Sequence, residues 1–161
     1  MAVLIAWLRD SPLPRLLYRL YGGYLRLRRP RTLGVRTLVL DRDGAILLIR
    51  HSYRPGWFLP GGGVAKWETL EAAARRETRE EGGVEIDGAV ELFGMYANFT
   101  AHCCDHVALY VARRWRPVVS HSVEVVETRF AAPHDLPTDT TPATRRRIEE
   151  FLGRADRAAH W

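Results

Sequence analysis

Apolar residues first recur along this chain at helical spacing. Leu13, Leu16, Leu17, Leu20, Tyr21, Tyr24 and Leu27 fall three and four apart, with Arg15, Arg19, Arg26, Arg28 and Arg29 between them. Ser11 and Pro12 are start signals for that helix, Gly22 and Gly23 can break it in two, and Pro30 stops it. The period then becomes that of strands. Val35 with residues 38–40, and residues 45–49, read as two strands, and Asp41-Arg42-Asp43-Gly44 between them predicts a hairpin. A short strand over 57–59 precedes Pro60-Gly61-Gly62-Gly63, a segment suited to sharp turning and close backbone approach. Thr69 can cap a helix running to about Gly82, which Gly83 ends. Residues 84–86, 90–100, 107–112 and 123–130 are further strand candidates, and Thr141-Pro142 opens a last helix carrying Ile148, Phe151 and Leu152. Strands and helices mix without strict βαβ alternation, which argues for an α/β fold with a mixed sheet flanked by helices. Pro30 divides a basic amphipathic helical extension, residues 1–30, from the domain proper, residues 31–161.

The helix over 70–82 breaks its own pattern. At 100° per residue, Leu70, Ala73 and Ala74 share a face with Glu77, Glu80 and Glu81. The face that begins apolar ends in a carboxylate cluster, where like charges repel by a few tenths of a kcal/mol per pair. Such a break in pattern marks functional sites. Carboxylate oxygens are the ligands that Mg²⁺ and Mn²⁺ prefer, often shared with substrate phosphates. The bland alternative is a solvated helix whose glutamates pair with Arg75, Arg76 and Arg79.

The wider stretch favours the metal. From Gly62 the chain reads five residues, Glu68, seven residues, then Arg76-Glu77-Thr78-Arg79-Glu80-Glu81-Gly82-Gly83-Val84. This resembles the Nudix box of the Nudix hydrolases, with every charged and glycine position matched. Thr78 stands where an aliphatic residue is usual, and Ala65-Lys66-Trp67-Glu68 replaces the frequent x-Pro-Gly-Glu. The resemblance implies an α/β/α sandwich around a mixed sheet over about residues 32–153. It implies Mg²⁺- or Mn²⁺-dependent hydrolysis of a phosphoanhydride in a nucleoside diphosphate linked to another group, of nucleotide-sugar or nucleoside-triphosphate type. Carried over residue by residue, Glu77, Glu80 and Glu81 are the metal-binding and catalytic glutamates. A carbonyl of Gly61 or Gly62 assists the metal, and Glu68 and Arg76 support the ligands, with Arg76 fixing a carboxylate rotamer. The base that deprotonates the attacking water varies in the family: Glu77, Glu80, Glu81, or a later glutamate such as Glu124 or Glu127. Arg54, just before the glycine loop, is a candidate phosphate contact, and Tyr53 or Trp57 a candidate base contact. Residues 99–102 carry neither of the family marks for ADP-ribose or dinucleoside polyphosphates, so no single substrate is named. The alternative is a silent Nudix-fold module that binds nucleotide or RNA without hydrolysis.

Composition bounds the rest. The chain has 161 residues, 47% hydrophobic and 27% charged, which suits one globular domain with room for the extension. Its charge of +5 is almost wholly arginine, Lys66 being the only lysine, and suits anionic partners. No apolar run approaches the ~18 residues of a membrane span, and the opening MAVLIAWL lacks a positive flank for export. Cys103 and Cys104 are adjacent and form no disulfide or zinc pattern. The expectation is a cytoplasmic enzyme with a small nucleotide substrate, not a nucleic-acid or membrane protein. The stripe of residues 13–27 then packs on the domain or on a second copy in a homodimer, and Arg145–Arg147 are a solvated helix face.

Overall fold

The computed structural model describes residues 31–100, 103–120 and 122–161; the expected helix over residues 12–29 lies outside them. Among the described residues there are eight strands, β1 (Arg31–Val39), β2 (Ile46–His51), β3 (Trp57–Phe58), β4 (Val84–Ile86), β5 (Glu91–Thr100), β6 (Cys103–Ala112), β7 (Trp115–Pro117) and β8 (Val125–Ala131). Two helices, α1 (Leu70–Gly82) and α2 (Pro142–Phe151), complete the set. The strands form sheets of order β1-β6-β5, β3-β2-β8 and β4-β7. β1 runs parallel to β6 while β5 and β6 are antiparallel, so the principal sheet is mixed, as expected.

Each face of that sheet has its own core. On one, Val35, Ala108 and Tyr110 pack against Ala73 and Ala74 of α1. On the other, Leu38, Leu109, Val111 and Tyr96 pack with Leu48 of β2 and Ile148 of α2. The helix termini are where the sequence puts them. Thr69 Oγ1 accepts from Ala72 N at 3.1 Å, and Gly83 closes α1 in the left-handed region at φ 66°. Thr141 caps α2, with Pro142 in its first turn.

Two expectations are corrected. The turn over 41–44 forms, with Asp41 Oδ1 accepting from Asp43 N at 2.9 Å and Ala45 N at 2.8 Å, but it joins strands of different sheets. Only Leu40 and Ile46 bridge across it. The cause is that β1 has no free edge: β6 takes one side, and the glycine loop takes the other through Val35 N–Gly62 O and Thr37 N–Pro60 O, both 2.9 Å. The second correction is Arg147, which is fully buried in α2 and not on a solvated face. β7 was not expected at all, being three residues long and largely exposed, with Pro117 tolerated on its edge.

Candidate active site

Strand register builds the floor of the site. Thr32 of β1 lies opposite Asp105 of β6, which lies opposite Asn98 of β5; Gly34 lies opposite Val107, and Arg36 opposite Leu109. With a period of two, these side chains share the face that carries Leu38 and Tyr96. Where α2 and β2 no longer cover that face, Thr32, Gly34, Arg36, Asn98, Asp105 and Val107 line a cleft of about 1830 Å³. Its other walls come from the end of β2 and the loop after it (His51, Tyr53, Arg54), the start of α2, the box glutamates, and Trp161.

The glycine loop brings the backbone to the glutamates. Gly61 has φ +144°, and a Cβ there would stand 2.1 Å from Val35 O, so only glycine fits beside β1. Gly61 N donates to Glu81 Oε2 at 2.8 Å. The Glu77 carboxylate rests against Gly62, whose Cβ, if present, would lie 2.7 Å from Oε1. The half-buried Arg36 guanidinium donates to the carbonyls of Leu59, at 3.1 Å, and Gly61. Arg76 ties the cluster together, donating to Glu68 Oε1 at 2.8 Å, Glu77 Oε1 at 2.7 Å, Glu80 Oε2 at 3.3 Å and Gly63 O at 3.1 Å. Glu68 also accepts from Ala65 N at 2.9 Å, which fixes the loop before α1. The three box glutamates are thus graded: Glu81 buried, Glu77 half-buried, Glu80 exposed.

Burial sets the electrostatics. It pushes the Glu81 carboxyl up to about 7, against the opposing pull of Arg36 and the Gly61 N–H. Glu77 is raised by the same cause, with Arg76 opposing. Glu68 moves the other way, to about 2, because Arg76 and the Ala65 N–H bond its charged form. His51 is held down at about 3 by burial and by Arg54 and Arg36, so it is neutral. Its Nδ1 has no hydrogen-bond partner and lies 3.9 Å from Glu81 Oε1. His51, Glu81 and Glu124 offer ligand atoms within 4.8 Å of one another.

The later glutamates separate cleanly. Glu124 lines the cleft and accepts from Tyr53 O–H at 3.2 Å, whereas Glu127 is ion-paired with Arg50 on the β2–β8 ladder, away from it. Arg54 lines the cleft with its guanidinium 3.8 Å from the Phe58 ring centroid. Trp57 is a core residue. The sequence reading missed Arg36, Asn98, Asp105 and Trp161. The signal for the first was present: Thr32, Gly34 and Arg36 alternate with Leu33, Val35 and Thr37 at the strand period.

The donor set fits a hard divalent cation. Burying carboxylates is costly unless charge compensates; Arg76 and Arg36 oppose the cost at Glu77 and Glu81 without overcoming it, and both carboxylates bear on the Gly61–Gly62 backbone. Carboxylate oxygens from one helix face are the hard donors that Mg²⁺ and Mn²⁺ take.

Residues 30–151 match the family model described as NUDIX domain. The crystal structure of a MutT NUDIX hydrolase from Burkholderia pseudomallei is 30% identical, with a TM-score of 0.66 over 74% of this chain and 97% of that one. A MutT protein from Methanosarcina mazei Go1 shares the fold at 24% identity and a TM-score of 0.66, over 81% of this chain and 98% of that one. A Bacillus subtilis (strain 168) protein provisionally named an 8-oxo-dGTP diphosphatase is 28% identical over 120 residues, 74% of this chain and 79% of its own. No helix among the described residues is long and apolar enough to cross a membrane.

Proposed function

Since this chain belongs to the NUDIX domain family and is a pyrophosphohydrolase acting on acid anhydrides, we propose that its substrate is a nucleoside diphosphate linked to a further group. A nucleoside triphosphate is the form that the name of the Bacillus subtilis relative suggests. The observation that carries the reading is the corner where Glu81 and Glu77 meet the Gly61–Gly62 backbone at the edge of a cleft lined by Arg36, Arg54 and Arg76. That corner combines acceptors for a divalent cation with donors for phosphate oxygens.

Glu77, Glu80, Glu81 and the carbonyl of Gly62 would hold the cation. When bound, Mg²⁺ or Mn²⁺ neutralises charge on the phosphoanhydride and makes water a better nucleophile. The chain's own residues do the remainder. Arg76 holds Glu77 and Glu80 in orientation, and Glu68 holds Arg76. Arg54 and Arg36 present positive charge to the diphosphate. Glu124, exposed and lining the cleft, is the later glutamate placed to take the proton of the attacking water, and Tyr53 O–H bonds it.

A panel of nucleoside triphosphates and nucleotide sugars, assayed with Mg²⁺, with Mn²⁺ and with excess EDTA, tests the reading. Turnover of at least one substrate that EDTA abolishes supports it. Full activity in EDTA, or binding without turnover across the panel, overturns it.

A further inference from the structure

Residues 154–161 turn back from α2 onto the outer edge of β5. Ala97 N donates to Ala159 O at 2.9 Å, Trp161 N donates to Ala97 O at 2.9 Å, and Arg157 Nη1 donates to Phe93 O at 2.9 Å. Ala97 and His160 form a parallel bridge, so the segment extends the principal sheet by one short step.

Its anchor is a buried charge pair. Arg147 Nη2 lies 2.5 Å from Glu150 Oε1, and both side chains are fully buried. Such a pair is tolerable only when further hydrogen bonds satisfy both partners. Tyr96 O–H supplies one to Glu150 Oε2 at 3.0 Å. The segment supplies two more: Ala158 N donates to Glu150 Oε1 at 3.0 Å, and Arg147 Nη1 donates to His160 O at 2.9 Å. The buried charges and the segment therefore hold each other in place.

What they position is Trp161. Its ring meets Tyr96 edge-on, centroids 5.6 Å apart, and Arg147 lies 5.4 Å from its centroid. The indole is nevertheless only partly buried, and it lines the cleft. The cleft thus has two chemically distinct ends. The β1 end carries Arg36, Arg54, Glu77 and Glu81; the far end, on β6 and β5, carries Asn98, Val107 and Trp161, with the Asp105 carboxylate opposite Asn98 and no arginine of the β1 end among them. A nucleotide has the same division, a charged diphosphate and a neutral planar base.

We propose that Trp161 determines specificity by giving the nucleobase its stacking surface, and that the Arg147–Glu150 pair positions it by pinning residues 154–161. This rests on the nucleotide-hydrolase reading above. Trp161→Ala and Trp161→Leu are expected to raise KM for a nucleotide about tenfold or more, the scale of a lost base–aromatic stack, with kcat little changed. Trp161→Phe, which keeps a ring, is expected to stay near wild type. Inorganic tripolyphosphate, a probe without a base, is expected to inhibit all four proteins equally. An unchanged KM in Trp161→Ala and Trp161→Leu overturns the proposal. So does a parallel weakening of tripolyphosphate, which would mark general damage to the cleft. These outcomes are read on a wild-type chain that turns nucleotides over; a wild type that hydrolyses none sinks the functional reading, and this one with it.

Discussion

The carboxylate of Glu77 occupies the space in which a side chain at position 62 would begin: a Cβ on Gly62 would stand 2.7 Å from Glu77 Oε1 and Oε2. The clash is with the flexible end of a side chain, not with backbone. Gly62→Ala is therefore expected to fold and to push the carboxylate off the glycine loop. Misplacing a catalytic group by about 1 Å can cost ~100-fold, so kcat is expected to fall at least tenfold while the melting temperature moves by only a few degrees. Steady-state kinetics beside a thermal melt check it; wild-type kcat would mean that Glu77 need not sit on the loop.

Glu80 and Glu81 are neighbours in sequence and opposites in environment. Without metal, the folded chain holds the Glu81 proton to about pH 7, whereas the ordinary carboxyl value is 4.5. The folded state therefore binds more protons than the unfolded state across that window, and stability falls as pH rises from about 4.5 to 7. At 1.36 kcal/mol per unit the effect reaches up to about 3 kcal/mol. Glu81→Gln is expected to flatten this fall and to raise the melting temperature in EDTA at pH 8; exposed Glu80→Gln is expected to do neither. With Mg²⁺, each substitution is expected to lower kcat by ~100-fold or more. Calorimetry in EDTA at pH 5 and pH 8 separates the two residues, and equal pH slopes for wild type and Glu81→Gln would contradict the assignment.

How much of this was legible in the sequence follows from the range of the interactions. The α1 caps at Thr69 and Gly83 and the face shared by Ala73, Ala74 and Glu81 are local, and each was read correctly. The glycine loop was legible as a place of close approach, but not its target, β1, some 25 residues earlier in the chain. That non-local pairing is what turns the hairpin over 41–44 into a crossing between sheets. Arg147 was misread for the same reason. By residue type it resembles its neighbours Arg145 and Arg146, and its burial depends on Tyr96 and His160, which only the fold brings near. Asn98 and Asp105 face one another only through the β5–β6 register.

Trp67 is the only non-glycine residue in the left-handed region among the described residues, at φ 67°, and it is 92% exposed. The frequent x-Pro-Gly-Glu pattern has glycine there, the residue for which this conformation carries no Cβ penalty. The ring meets the Lys66 Nζ at 5.1 Å, a contact of little worth in solvent. Trp67→Gly is expected to stabilise the chain by about 1 kcal/mol and leave kcat unchanged. Urea unfolding measures this, and a loss of stability would show that the indole is held by more than Lys66.

The box and its flanking strands all begin after Pro30. Deleting residues 1–29 is therefore expected to leave metal-dependent turnover within about threefold of the full chain. The apolar stripe from Leu13 to Leu27 instead predicts a change in solubility or oligomeric state, because such a stripe is covered by the domain or by a second copy. Light scattering and kinetics on the two proteins check it. A monomeric, folded truncation with no turnover would place part of the active site in the extension.

The Arg147–Glu150 pair gives the sharpest test of stability. Arg147→Met removes one charge and leaves Glu150 buried at 0% side-chain exposure with only Tyr96 and Ala158 as donors. Breaking a buried pair in this way costs about 3–5 kcal/mol. Removing both charges is a different operation. Arg147→Met with Glu150→Gln leaves no buried ion, keeps an amide oxygen to accept from Ala158 N and an amide N–H to donate to the Tyr96 hydroxyl oxygen, and retains apolar volume against the Tyr96 and Trp161 rings. The double variant is expected to recover at least half of the loss, a non-additivity that chemical denaturation of the four proteins in the cycle measures directly. Additive losses would mean that each residue acts alone and that the pair is not a unit.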